Sequence, residues 1–187
     1  MSRSALLSHR MQFHCMAALA LALTACTTSG HTAKAEPQAS RFVIVRHAEK
    51  QSGDAATARP DDPALTDAGR ERAVRLAASL VGDPVVAVYA TPYRRTRDTA
   101  SPTARMHGLQ VSEYDPHQPA SALVDALRTA HPHGTVLVVG HSNTVPAIAS
   151  ALCGCEIAPI GEDEYDHRHV IDIDRQGRAR LGGSPAP

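Results

Sequence analysis

The chain has 187 residues, 19 basic and 19 acidic side chains, 43% hydrophobic residues and only 3% aromatic ones. That length suits one domain whose core must be filled by Val, Leu, Ile and Ala. A formal net charge of +0 excludes a general electrostatic pull toward nucleic acid.

In chain order, the first 25 residues carry Arg3 and Arg10 with no acid, followed by an apolar stretch from Met16 to Leu23. This is the pattern of a secretory signal, and it is too short for a membrane-spanning helix. Residues 27 to 40 hold Thr, Ser, Gly, Ala, Lys, Glu, Pro and Gln with no large apolar residue, which reads as a flexible tether. The expected division is therefore a signal over 1–25, a tether over 26–40 and a folded domain over 41–187. Removing Arg3 and Arg10 from the 19 basic residues leaves 17 against 19 acidic, so the mature chain stays near neutrality.

From Arg41 onward, apolar runs alternate with amphipathic segments. Phe42-Val43-Ile44-Val45 reads as a buried parallel strand, Val85 to Ala90 and Thr135 to Gly140 as further strands, and Val170 to Ile173 as a weaker one. Thr66-Asp67 supplies an N-cap signal ahead of Ala73, Leu76, Ala77 and Leu80 on one helical face. Leu123, Ala126, Leu127 and Ala130 repeat that spacing, as do Val145, Ile148, Ala149 and Leu152. Pro92 and Pro102 frame or kink a helix after Ala90, and Gly108 stops it. The order β-α-β-α-(β)-α-β-α-β predicts a three-layer α/β/α sandwich with a largely parallel sheet.

Ligands of such sheets bind beyond the carboxyl ends of the strands. The first strand ends in Arg46-His47, the second is followed by Thr91-Pro92-Tyr93-Arg94-Arg95, and the strand from Thr135 delivers Gly140-His141-Ser142-Asn143. Two histidines and at least two arginines are thus expected at one sheet edge. Permanently charged, planar guanidinium groups suit phosphoryl oxygens, and an imidazole nitrogen can attack phosphorus.

These segments resemble the histidine phosphatase superfamily, the phosphoglycerate mutase-like fold. Arg46-His47 is similar to its Arg-His-Gly motif with Ala48 in place of Gly, Leu65-Thr66-Asp67-Ala68-Gly69 to its Leu-Thr-x-x-Gly helix start, and Thr91 to Ala100 to its Ser-Pro-x-x-Arg-(x)₃-Thr-Ala segment. Gly140-His141 completes the set, in family order from residue 41 to about 150. The small members that act on protein phosphohistidine, the SixA-like type, are similarly short. The resemblance implies His47 as a nucleophile forming a covalent phosphohistidine, Arg46 and Arg95 as clamps on the phosphoryl oxygens, and His141 as a second histidine donating to them. It implies a phosphatase acting on a phosphorylated small molecule or phosphoprotein, with no metal and no cofactor, because arginines supply the positive charge. Arg94 is then a neighbour, and Ser142 adds a hydroxyl or backbone donor to the pocket. The family's acid falls after the second arginine segment, where Glu113, Asp115 and His117 lie; Asp115 is the candidate, with Glu113 or no acid as alternatives. Separately, Leu23-Thr24-Ala25-Cys26 resembles the bacterial lipobox, which implies export, a lipid-bearing Cys26 and attachment to a membrane of the cell envelope.

Other features carry different readings. Gly140-His141-Ser142-Asn143-Thr144 resembles the Gly-x-Ser-x-Gly elbow of α/β-hydrolases, with Ser142 attacking a carboxylic ester, although Thr144 replaces the last Gly. A catalytically idle phosphate-binding envelope protein is a third reading. His131-x-His133 and His167-x-His169 have two-ligand spacing without further ligands, and read as surface or loop histidines. Cys153 and Cys155 read as packing or labile thiols, since their spacing is awkward for a mutual disulfide. Glu162-Asp163-Glu164-Tyr165-Asp166 is an acidic loop, either solvated or forming one rim of the cleft. Gln51 to Pro63, rich in Gly, Asp, Ala and Pro, would set pocket width.

Overall fold

The computed structural model of the chain describes residues 39–52 and 61–182. The expected signal, Cys26 and nearly all of the tether lie outside the described residues, as do residues 53–60 of the Gln51–Pro63 loop. Among the described residues, no helix is long and apolar enough to cross a membrane.

Strand β1 (Ser40–Arg46) lies inside a six-stranded sheet and is buried on both faces, which is why its sequence is a continuous apolar run. Successive side chains point to opposite sides. Phe42 and Ile44 pack with Val136 and Val138 of β4 (Gly134–Gly140) under α3 (Ala120–Ala130) and α4 (Val145–Cys153). Val43 and Val45 pack with Leu137 and Val139 under α1 (Asp67–Ser79) and α2 (Arg94–Met106). The remaining strands are β2 (Val85–Ala90), β3 (Val111–Glu113), β5 (Arg168–Ile173) and β6 (Ala179–Gly182). The order across the sheet is β3-β2-β4-β1-β5-β6; β3, β2, β4 and β1 are parallel, and β5 and β6 are antiparallel additions at one edge. The architecture is the expected three-layer α/β/α sandwich with a mostly parallel sheet.

Three local outcomes differ from the sequence reading. In α3, Leu123, Val124 and Leu127 are buried while Ala126 and Ala130 face solvent. The helix is turned so that valine enters the core, since a methyl group offers less apolar area to bury. Strand β6 was not anticipated: it pairs only with β5 at the sheet edge, so it carries no buried alternating stripe. The reading of Cys153 and Cys155 as packing or labile thiols is corrected, because the two form a disulfide. Gly154 between them adopts a left-handed φ of 64°, which turns the chain back and brings the two Cα atoms to 5.2 Å, within bridging range.

The Leu-Thr-x-x-Gly segment has a clear physical task. Thr66 accepts from the Gly69 amide at 3.0 Å as the N-cap of α1, and its own amide donates to the Glu49 carbonyl at 2.9 Å. A Cβ on Gly69 would collide with that Glu49 carbonyl, so only glycine lets the helix start approach the segment after His47. Arg72 on α1 then forks onto the Glu49 carboxylate, with Nη2–Oε1 at 2.7 Å.

Candidate active site

The parallel register decides which side chains meet. Arg46 of β1 is level with Gly140 of β4, and the His47 amide donates to the Gly140 carbonyl at 2.9 Å. Ala90 of β2 is level with Val139, so Thr91 emerges beside His141. Arg46, His47, Arg95, His141 and Ser142 therefore line one open pocket of about 360 Å³, with Lys50, Tyr93, His117 and Glu162 among its other walls.

His47 is almost fully buried, and its Nδ1 lies 2.8 Å from the Ala48 carbonyl. A carbonyl only accepts, so Nδ1 carries the proton and Nε2 keeps its lone pair. Burial, then the positive neighbours Arg95 and Arg46, push its pKa down to about 3 against the backbone hydrogen bond that favours the cation. The imidazole is neutral across the physiological range. Its backbone is anchored on the far side too, where the Ala48 amide donates to Thr99 Oγ1 at 3.0 Å and Thr99 donates to the Arg95 carbonyl at 2.7 Å.

His141 stands edge-on to His47, with ring centroids 5.4 Å apart. Arg95 Nη2 reaches its Nδ1 at 3.5 Å, and a guanidinium can only donate, so the proton sits on Nε2. Nε2 donates to Thr91 Oγ1 at 2.9 Å, Thr91 to Thr96 Oγ1 at 2.8 Å, and Thr96 to the Tyr93 carbonyl at 2.7 Å. This chain fixes the ring and turns Nδ1 toward Arg95. Burial, followed by Arg95 and Arg46, lowers the His141 pKa to about 4.

The two arginines are held differently. Arg95 lies in the first turn of α2 and lays its guanidinium over Tyr93, 4.4 Å from the ring centroid. Arg46 is 2% exposed, donates through Nη1 to the carbonyls of Gly161 at 2.7 Å and Glu164 at 3.0 Å, and lies 4.4 Å from the centre of the Tyr165 ring. Its Nη2 faces Glu162 Oε2 at 3.5 Å. The acidic segment 161–166 is thus a rim of the cleft, folded on itself by Glu164 Oε2, which accepts from the Gly161 amide and bonds His167 Nε2.

Of the residues expected from sequence, Arg46, His47, Arg95, His141 and Ser142 are brought together. Arg94 is a neighbour, paired with Asp98 on the exposed side of α2. Asp115 is not in the pocket lining: it borders an adjacent recess with Tyr114 and Leu123, and its Oδ1 accepts the His117 amide at 2.9 Å. Glu113 pairs with Arg97 at the surface. Thr91, Tyr93 and Lys50 were not picked out as site residues by sequence reasoning, and Tyr165 and Glu162 only as members of a loop that was either solvated or a rim of the cleft. Thr91 and Tyr93 lie inside the arginine motif, whereas only packing assigns Tyr165 and Glu162, which come from a stretch with no periodicity.

Residues 42–118 match the family model of the histidine phosphatase superfamily, branch 1. Over that span the chain is similar to that superfamily. Among solved structures it is similar to a mycobacterial glucosyl-3-phosphoglycerate phosphatase, at 17% identity and TM-score 0.61, covering 79% of this chain and 99% of that one. The protein histidine phosphatase SixA complexed with tungstate is similar at 19% identity and TM-score 0.61, over 79% and 97% of the two chains. A phosphoserine phosphatase from Entamoeba histolytica, in complex with 3-phosphoglyceric acid, is similar at 15% identity and TM-score 0.58, over 79% and 98%. At these identities the likenesses show the fold alone. No curated protein sequence matches the chain.

Proposed function

We propose that this domain hydrolyses a phosphomonoester or phosphohistidine through a covalent phosphohistidine on His47, without a metal. The observation that carries this reading is the commitment of His47 Nδ1 to the Ala48 carbonyl, which leaves Nε2 as a neutral nucleophile in a pocket lined by Arg46, Arg95 and His141. Both arginines are held before any substrate arrives, so the charge that stabilises the transferring phosphoryl group is preorganised. A bound phosphoryl dianion favours protonation of His141, which then donates through Nδ1 while Nε2 keeps its bond to Thr91. Attack by water on the phosphohistidine completes the cycle.

The substrate class is a phosphorylated small molecule or phosphoprotein, in keeping with the phosphatase names of the similar structures. We place the enzyme in the cell envelope, carried by a lipid on Cys26; the leader pattern of the sequence supports this, and intact mass should shift for the wild type and not for Cys26→Ala. Turnover of p-nitrophenyl phosphate by the full chain, with chelator present and abolished by His47→Ala, tests the mechanism. Full activity in His47→Ala would refute it. The serine-hydrolase reading gains nothing from the geometry: Ser142 Oγ donates to Glu162, while the His141 ring nitrogens bond Thr91 and Arg95. The idle-scaffold reading predicts phosphate binding with no turnover.

A further inference from the structure

A phosphomonoester with a basic leaving oxygen needs a proton at that oxygen as the bond to phosphorus breaks. The carboxylates near the pocket can be taken in turn. Glu49 is forked by Arg72, Asp62 accepts the Arg94 amide outside the pocket lining, Glu113 pairs with Arg97, Asp115 caps His117, and Glu164 binds the Gly161 amide and His167. Among the described residues, Glu162 alone places a carboxylate in the pocket lining. Its Oε1 accepts from Ser142 Oγ at 3.1 Å and its Oε2 faces Arg46 Nη2 at 3.5 Å, so the group is aimed inward by two other lining residues. Its side chain is 80% exposed, which leaves room for a leaving group to pass and for water to follow.

We infer that Glu162, carried on the loop before β5, is the proton donor to the leaving group and the base that activates water, a role that rests on the phosphatase reading above. The proton passed on is one that the bound phosphomonoester brings and the Glu162 carboxylate relays to the leaving oxygen. In the first step His47 Nε2 forms the bond to phosphorus, the P–O bond to the leaving group breaks with its electron pair, and that oxygen takes the proton of Glu162. In the second, water attacks phosphorus, the P–N bond breaks with its pair returning to Nε2, and the water proton goes to Glu162. The sum is one ester and one water giving one alcohol and one inorganic phosphate.

The test compares p-nitrophenyl phosphate, whose phenolate leaves readily, with phenyl phosphate, whose phenolate is more basic. Glu162→Gln should lower kcat on both, with a loss at least about ten-fold greater on phenyl phosphate, as expected for removal of a general acid. Glu162→Asp should recover part of the phenyl phosphate rate. Equal losses on both substrates, or none, in an otherwise active enzyme would overturn the assignment and leave the phosphatase reading standing. Absence of turnover by the wild type on both would overturn the two together.

Discussion

The two walls of the pocket hold their charge by different means. On one side, strand ends deliver His47 and His141 from the sheet interior, where register and backbone hydrogen bonds set their positions before any ligand is present. On the other, residues 161–166 arrive from an irregular segment, and Glu162 is largely solvent-exposed. The first wall is a consequence of core packing. The second acts on that core, since its carbonyls at Gly161 and Glu164 accept from Nη1 of buried Arg46. A preset histidine wall and an accessible carboxylate wall are what the proposed phosphatase reaction asks for, in which a phosphoryl group is gripped while its leaving group departs.

Substitutions in each wall should separate these roles. The largest effect is expected at His47: His47→Ala should reduce kcat by about 10³-fold or more, measured by steady-state turnover with retained circular dichroism, since the covalent route is lost. Next comes acid sensitivity. His47 and His141 have folded-state pKa values of about 3 and 4 against an ordinary 6.5, so between those limits the unfolded chain binds more protons than the folded one. Stability is therefore complete above pH 6.5 and declines as pH falls toward 4, by up to about 1.4 kcal/mol per pH unit for each histidine. Urea midpoints at pH 7.5 and 5 should show the loss, and His47→Gln should reduce it.

Thr91→Val sharpens the comparison within the strand-end wall. It deprives His141 Nε2 of its acceptor and should cost about 1–3 kcal/mol in kcat/KM or in stability, read from kinetics and melting of the same preparation. In the loop wall, Tyr165→Leu removes the ring over Arg46 and should cost about 1 kcal/mol, seen as weaker inhibition by inorganic phosphate. The smallest change belongs outside both walls: Arg97→Ala breaks an exposed pair with Glu113, and its effect on denaturant midpoint should stay below about 1 kcal/mol.

Much of this was legible in the chain. The apolar run of β1, the helix faces of α1 and α4, and the position of Arg46, His47, Arg95 and His141 at strand or helix ends follow from periodicity and the crossover rule. The acid was not. Asp115 sits at a plausible distance along the chain from Arg95, yet its carboxylate serves the turn at His117, and no sequence spacing reports that choice. Glu162 lies 20 residues beyond Ser142 and meets it only because the segment before β5 folds back over the sheet edge.

By itself, then, the sequence determined the layers, the parallel half of the sheet and the edge at which His47 lies, because burial imposes regular patterns on strands and helices. Tertiary structure decided the His47 tautomer, the Thr91–Thr96 chain behind His141, the Cys153–Cys155 disulfide and which carboxylate faces the pocket. These depend on contacts between irregular segments, where no repeat in the chain records which atoms will meet.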